Sequence, residues 1–444
     1  MRLALPCPKQ ETAASGCVAR TTVRRRDAGA VTITAALMLL FLLGFMGVAI
    51  DIGRAFVVRS ELQTAMDSCA LAGAQELDGS ADAIARATSA GLAAAWVNRV
   101  GFQSESWSGQ GQLPAGGIGF RDASFVLTTA PAAARYVSCT HTQPNVRNVL
   151  LGLMGAFAGS PSAYPAAFSV KASAVATRAP SQTSCPVPLA LKPKSGGTAA
   201  NDYGFAIGEW VTLLMGAGAA TNGQIGWANL DGSNDANETA KELDGYCGTK
   251  VGDKLGTPGV QTSVADNWNY RFGIYKNSVG PAGYAQRPDF TGYAYTLKNW
   301  PSGANAFDGA TPPAAPATAG SFVGKRQAYA SCADTGTQLL GGPNSCEGIT
   351  GLSLNSFQKL APPGNVPGGH RQYGMNRRMV IVPVPGAANT VTDYACMLML
   401  QPLSIPLAPV QLEYRGRASA AGSPCGSGGL AGGSVGPLVP VLVR

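Results

Sequence analysis

No residue between positions 30 and 50 carries a charge. Wound as a helix at ~1.5 Å per residue, this run spans about 32 Å, enough to cross a hydrocarbon core of ~30 Å. Backbone inside lipid must satisfy its own hydrogen bonds, so the pattern predicts a transmembrane helix over 30–50. No proline falls between Pro8 and Pro114 to break it. Beyond Ile50 the apolar positions adopt a helical period: Ala55, Val58, Leu62, Met66, Cys69, Gly73 and Leu77 share one face. Glu61, Gln63, Thr64, Asp67, Ser68, Gln75 and Asp78 lie opposite, with Leu71 the exception. Asp78-Gly79 predicts a stop. Ser80 is expected to cap a second, alanine-rich helix with Ile84, Thr88, Gly91, Leu92 and Ala95 along one side.

After a Gly/Pro break at 109–119 the period shifts towards two. Segments 123–129 (ASFVLTT), 135–140 (RYVSCT) and 168–177 (FSVKASAVAT) predict strands, and 144–157 (PNVRNVLLGLMGAF) predicts a helix with proline in its first turn. Residues 179–182 are expected to form a linker. Near the end, 377–384 (RRMVIVPV), 393–401 (DYACMLMLQ) and 410–418 (VQLEYRGRA) predict three adjacent antiparallel strands separated by Gly/Pro/Asn-rich loops. The tract 303–320 is low in complexity and is expected to be a surface loop. The fold class is therefore α+β: a long N-terminal transmembrane and amphipathic helix, a second helix, then an antiparallel β-rich body. The expected divisions are a basic tail at 1–29, the span at 30–50, a helical stalk with a small α+β domain at 51–178, and a β- and loop-rich domain at 179–444.

Charge orients the span. Arg24, Arg25 and Arg26 precede it, which predicts a cytoplasmic tail and a periplasmic or otherwise extracytoplasmic body, with Asp51, Arg54 and Arg59 at the outer face. Gly47-Val48-Ala49 resembles a signal-peptide cleavage site, but the apolar run exceeds a usual signal core and helical patterning continues through the cut. A pilin-type leader ending at Gly29 is disfavoured because Thr34 stands where such leaders have glutamate. The formal net charge of +8 does not indicate nucleic-acid binding. Half of it lies in residues 1–29, and the rest is spread without a basic cluster.

Of ten cysteines, Cys7 and Cys17 precede the span, and Cys69 sits on the emerging helix. Cys139, Cys185, Cys247, Cys332, Cys346, Cys396 and Cys425 follow. In an oxidising compartment disulfides are the default. Seven is odd, so either one thiol stays free or Cys69 pairs as well. Cys332 and Cys346, flanking a Gly/Asn loop, form the nearest candidate pair. No cysteine spacing suits zinc, so no metal site is expected.

Asp231, Ser233, Asp235 and Glu242 match ligand positions of a calcium loop, yet Ala236 replaces the glycine its turn requires. The competing expectation is that Asp235 caps a helix, with Glu238 completing a capping box and Gly245 ending it. His141 and His370, the only histidines, lie in no catalytic constellation, and no phosphate-cradling loop is present. No cofactor is expected.

The stretch VAIDIGRAFVVRSELQTAMDSCALAGAQEL resembles the N-terminal module of TadG-type proteins of tight-adherence (Tad, or Flp) pilus assembly. Asp51, Gly53 and Arg54 match the turn-out; Leu62, Gln63, Ala65, Asp67, Ala70, Leu71 and Ala72 match the helix. Cys69 stands where the module more often has a small residue. The strand–strand–helix–strand order that follows also resembles the heads of that family. Some longer TadG-type proteins carry a von Willebrand factor A domain, whose metal site DGSND only faintly resembles; Asp235 replaces its second serine. The resemblance implies a single-pass inner-membrane protein, not an enzyme, that contributes to pilus assembly through contacts with pilin-like partners and the bilayer. The expected partner-contact stripe is Leu62, Met66, Cys69, Gly73 and Leu77. Two other readings compete: a membrane-anchored adhesin, and a secreted hydrolase using carboxylates.

Overall fold

The computed structural model describes residues 28–98, 113–148, 167–215, 220–259, 264–276, 278–300, 303–309, 320–332, 346–362, 368–426 and 429–443. The chain forms two compact units, one of residues 1–57 with 144–170, the other of 58–143 with 171–444.

Helix α1 runs unbroken over Ala28–Gln75. In the first unit its apolar side chains are exposed: Val31, Leu37, Leu40, Phe41, Phe45, Ile50 and Phe56 among them. Phe41 and Phe45, one turn apart, pack with ring centroids at 5.0 Å. Asp51 is buried and partnered.

The second unit begins at Val58, where α1 turns from exposed to buried. Val58, Leu62, Ala65, Met66, Cys69, Ala70, Ala74 and Leu77 are all buried. Gly79 ends this stretch with φ +83°, the left-handed conformation that glycine adopts without a Cβ clash. Helix α2 covers Ala83–Val97 and buries Ala83, Ala87, Gly91 and Ala95. Asp82, not Ser80, is its N-cap residue. Ser80 instead donates from its hydroxyl to Asp78 and Asp82.

The strands are β1 (Ile118–Arg121), β2 (Tyr136–Arg147), β3 (Ala167–Pro180), β4 (Leu189–Leu191), β5 (Trp210–Leu213), β6 (Ile225–Trp227), β7 (Ile274–Tyr275), β8 (Lys359–Leu360), β9 (Met379–Pro385), β10 (Val391–Met399), β11 (Val410–Arg417) and β12 (Leu438–Leu442). A four-stranded sheet has the order β1-β2-β3-β12, and a six-stranded sheet the order β4-β6-β5-β11-β10-β9. As expected, β9, β10 and β11 are adjacent and antiparallel.

Two expected elements are not found as placed. Residues 123–129 form a turn, not a strand. The Asp122 carboxylate accepts from the Ser124 and Val126 amides at 2.9 and 3.0 Å, and Phe125 adopts φ +65°. An aspartate offering its side chain to nearby amides competes with strand pairing. The helix expected from Pro144 does not start there, because Pro144 to Arg147 continue β2; sheet pairing overrides a local helical pattern. The rest of that segment, 149–157, lies outside the described residues, as do tract residues 310–319 and the basic tail through residue 27.

Both faces of the six-stranded sheet are covered. Val380, Val382, Ala395, Met397, Val410 and Leu412 enter one core, while Met379, Ile381, Cys396 and Leu398 enter another. Double coverage explains why these strands read as continuous apolar runs. The sheet curls until its outer strands approach, and the Val187 amide donates to the Ile381 carbonyl at 2.9 Å. Helices α3 (Ala236–Gly245) and α4 (Val264–Tyr270) flank it. Asp235 caps α3 by accepting from the Asn237 amide, as expected. Glu238, expected to complete a capping box, pairs with Lys241 at 2.7 Å.

Candidate membrane span and assembly helix

Exposure on α1 changes along its length: apolar side chains are exposed through Val57, and from Val58 onward one face of the helix is buried. From Val31 to Ile50 the exposed apolar surface extends about 30 Å at ~1.5 Å per residue, and Ile52, Phe56 and Val57 are exposed beside Asp51 and Arg54. Such a surface is far larger and more continuous than water tolerates on a soluble helix, and α1 is long and apolar enough to cross a membrane.

Beyond Val58 the same helix is held by its own chain. A Cβ added to Gly73 would meet Val137 of β2 at 3.0 Å and the Ala87 carbonyl of α2 at 3.3 Å. One added to Gly91 would meet the Cys69 carbonyl, the Cys69 Sγ and Ile118, each at 3.2 Å. Small residues thus let α1 sit against α2 on one side and the four-stranded sheet on the other. Cys69 and Cys139 form a disulfide between α1 and β2. The stripe Leu62, Met66, Cys69, Gly73 and Leu77, expected to meet partners, is buried inside the protein. Its periodicity was legible, but a sequence cannot tell whether an apolar stripe meets its own chain or another.

The end of α1 carries an electrostatic joint. Arg86 of α2 donates to Glu76 at 3.0 Å, to Asp78 at 2.5 Å and to Asp82. Burial pushes the Asp78 carboxyl up, but hydrogen bonds from Ser80 and the Arg86 charge outweigh it and leave the pKa below 3.8. The Arg86 hydrogen bond likewise holds Asp82 below that value. Arg178 of β3 donates from Nη1 to the Leu77 carbonyl at 3.1 Å and to Ala421 at 3.0 Å. A cation at a helix C-terminus complements the helix dipole. Burial lowers the Arg178 pKa, against the opposing charges of Asp78 and Glu76. No sequence pattern singled out Arg178, because its role exists only where β3, the helix end and the C-terminal loop meet.

The other cysteines pair as Cys185–Cys247, Cys332–Cys346 and Cys396–Cys425. All eight described cysteines are therefore bonded, Cys69 included. The calcium-like loop is internally satisfied, with Glu242 accepting from the Leu230 amide at 2.9 Å and the Asp231 amide at 3.1 Å. Among the described residues no three His, Cys, Asp or Glu side chains converge to hold a metal. His370 is buried with Nδ1 2.8 Å from the Asp289 carbonyl, and burial lowers its pKa. His141 lies in β2 and is partnered.

Residues 29–76 match the Tad family of TadE/G-like Flp pilus-assembly domains. No curated protein and no solved structure matches the chain. The TadE/G-like segment coincides with α1, lipid-compatible half and docked half together. The match supports a pilus-assembly-related role, and an apolar N-terminal helix bearing this domain fits a membrane-anchored protein. Helix α2 and all the sheets lie outside the match.

Proposed function

We propose that the chain is a single-pass inner-membrane protein that acts as a structural, non-enzymatic component of Flp-type pilus assembly. Its N-terminal tail lies in the cytoplasm and all the described sheets lie in the periplasm or beyond. The observation carrying this reading is the exposed apolar sector of α1 within a TadE/G-like segment. Lipid, or the apolar helix of another assembly component, is the natural cover for it. The arginine triplet before the span and four disulfides after it favour the same orientation.

In this arrangement α1 links bilayer and body as one continuous helix. Its docked half is clamped by α2, the sheet and the Cys69–Cys139 bond, so the lipid-embedded half is the part left to meet other helices. Replacing Leu40 by Arg puts a charge mid-span, at about 2.5–3.5 kcal/mol on insertion scales. The expected result is a body released from the membrane fraction and a loss of piliation in a producing cell. Full membrane retention of Leu40→Arg, or reduced cysteines throughout the body in cells, would contradict the reading.

A further inference from the structure

Hydrogen bonds set the docked half of α1 beside β3, with both elements running the same way. The Gln63 side-chain amide donates to the Ser173 carbonyl at 3.1 Å. Further along both, Arg178 donates to the Leu77 carbonyl at 3.1 Å. Residue numbers on each element therefore fall towards the apolar run of α1. Arg59 stands four residues before Gln63, about 6 Å nearer that run at ~1.5 Å per residue of helix. Lys171 stands two residues before Ser173, about 7 Å nearer it at ~3.3 Å per residue of strand. Two cations thus share one level, one on each element.

Both are available. Arg59 and Lys171 are exposed and, among the described residues, enter no ion pair. Val170 and Ala172 are buried on either side of Lys171, so the alternation of the strand turns the lysine outward. The other charges along this stretch are engaged. Asp51, Arg54 and Glu61 are partnered, and Asp67 accepts from Gln63 at 2.8 Å. Glu76, Asp78 and Asp82 gather around Arg86, beyond the far end of α1. Uncompensated positive charge is therefore presented where the body begins.

Height selects the partner. Nine residues of helix separate Ile50 from Arg59, about 14 Å. Headgroups occupy roughly 5–8 Å of each leaflet beyond the hydrocarbon. Measured from Ile50, Arg59 then lies at most about 9 Å above them, within a Debye length of ~8–10 Å. Phe56 and Val57, just before it, are exposed and apolar, so the helix surface passes from apolar to cationic along its course out of the bilayer. An acidic protein partner would account for the cations but not for their level just above an apolar span.

We propose, building on the membrane-anchored reading above, that Arg59 and Lys171 form a docking rim for anionic lipid headgroups on the leaflet from which the body emerges. Each such cation strengthens attachment to an anionic surface about fivefold. The test places the full-length protein in nanodiscs of phosphatidylcholine alone or of an equal mixture with phosphatidylglycerol. Methylation of each lysine by formaldehyde, an uncharged reagent, and a reductant is followed by mass spectrometry. Lys171 should react about fivefold more slowly in the anionic discs, and high salt should remove the difference. Lys250, exposed beyond the far end of β3 where Thr249 bridges Ser184, should react alike in both. Arg59→Gln, at an exposed position outside the core, should reduce the slowing at Lys171. Equal reactivity of Lys171 in the two kinds of disc overturns the docking rim and leaves membrane anchoring standing. A slowing that neither salt nor Arg59→Gln diminishes overturns it as well. A chain that co-elutes with neither disc overturns the anchored reading and this inference with it.

Discussion

Gly73 shows how one missing side chain sets the distance between three elements. With nothing beyond Cα, α1 lies against both Val137 and the backbone of α2 at Ala87. Gly73→Val would force methyl groups into space already at contact, and overpacking of this kind costs about 1–3 kcal/mol. We expect a lower thermal midpoint for the detergent-solubilised protein, while Gly53→Ala, at a position with open space around it, leaves the midpoint unchanged. An unaltered midpoint in Gly73→Val would mean that the helix pair is looser than these distances indicate. Cys69 belongs to the same scale. It departs from the small residue usual in the module it resembles, and its bond to Cys139 gives the physical reason.

At the scale of elements, the joint between α1 and α2 rests on Arg86 and three carboxylates. The folded pKa values of Asp78 and Asp82 lie below 3.8. Carboxylates depressed by folding contribute stability above their unfolded pKa and lose it as pH falls through the folded one. Unfolding followed by circular dichroism should therefore show stability falling in acid below about pH 4. Arg86→Ala should flatten the part of that slope due to Asp78 and Asp82 while lowering stability at neutral pH. The joint is partly exposed, so added salt should weaken it as well. A slope identical in Arg86→Ala and the parent would place the acid sensitivity elsewhere.

For the molecule as a whole, the last described strand returns to the first sheet. β12 pairs with β3 from Leu438↔Pro180 to Leu442↔Ala176, while the loop before it is tied to β10 through Cys396–Cys425. Deleting residues 438–443 should speed amide exchange in β3 over 176–180, since its edge would lose its partners, and should leave β9–β11 protected. Uniform loss of protection would show that the two sheets unfold as one. Much of this design was readable beforehand. The apolar run, the period-3.6 stripe beyond it and the three late strands follow from local rules, because lipid, helix geometry and a doubly covered sheet each impose a pattern on consecutive residues. Other features depend on residues far apart in the chain. These include the pairing of Cys69 with Cys139, the hydrogen bond from Arg178 to the Leu77 carbonyl just beyond α1, the continuation of β2 through Pro144 and the return of β12. Sequence alone determined that α1 would be an apolar helix with a striped extension. Only tertiary structure decided that its own sheet and α2 cover the stripe, because an apolar surface dictates that it be buried and not by what.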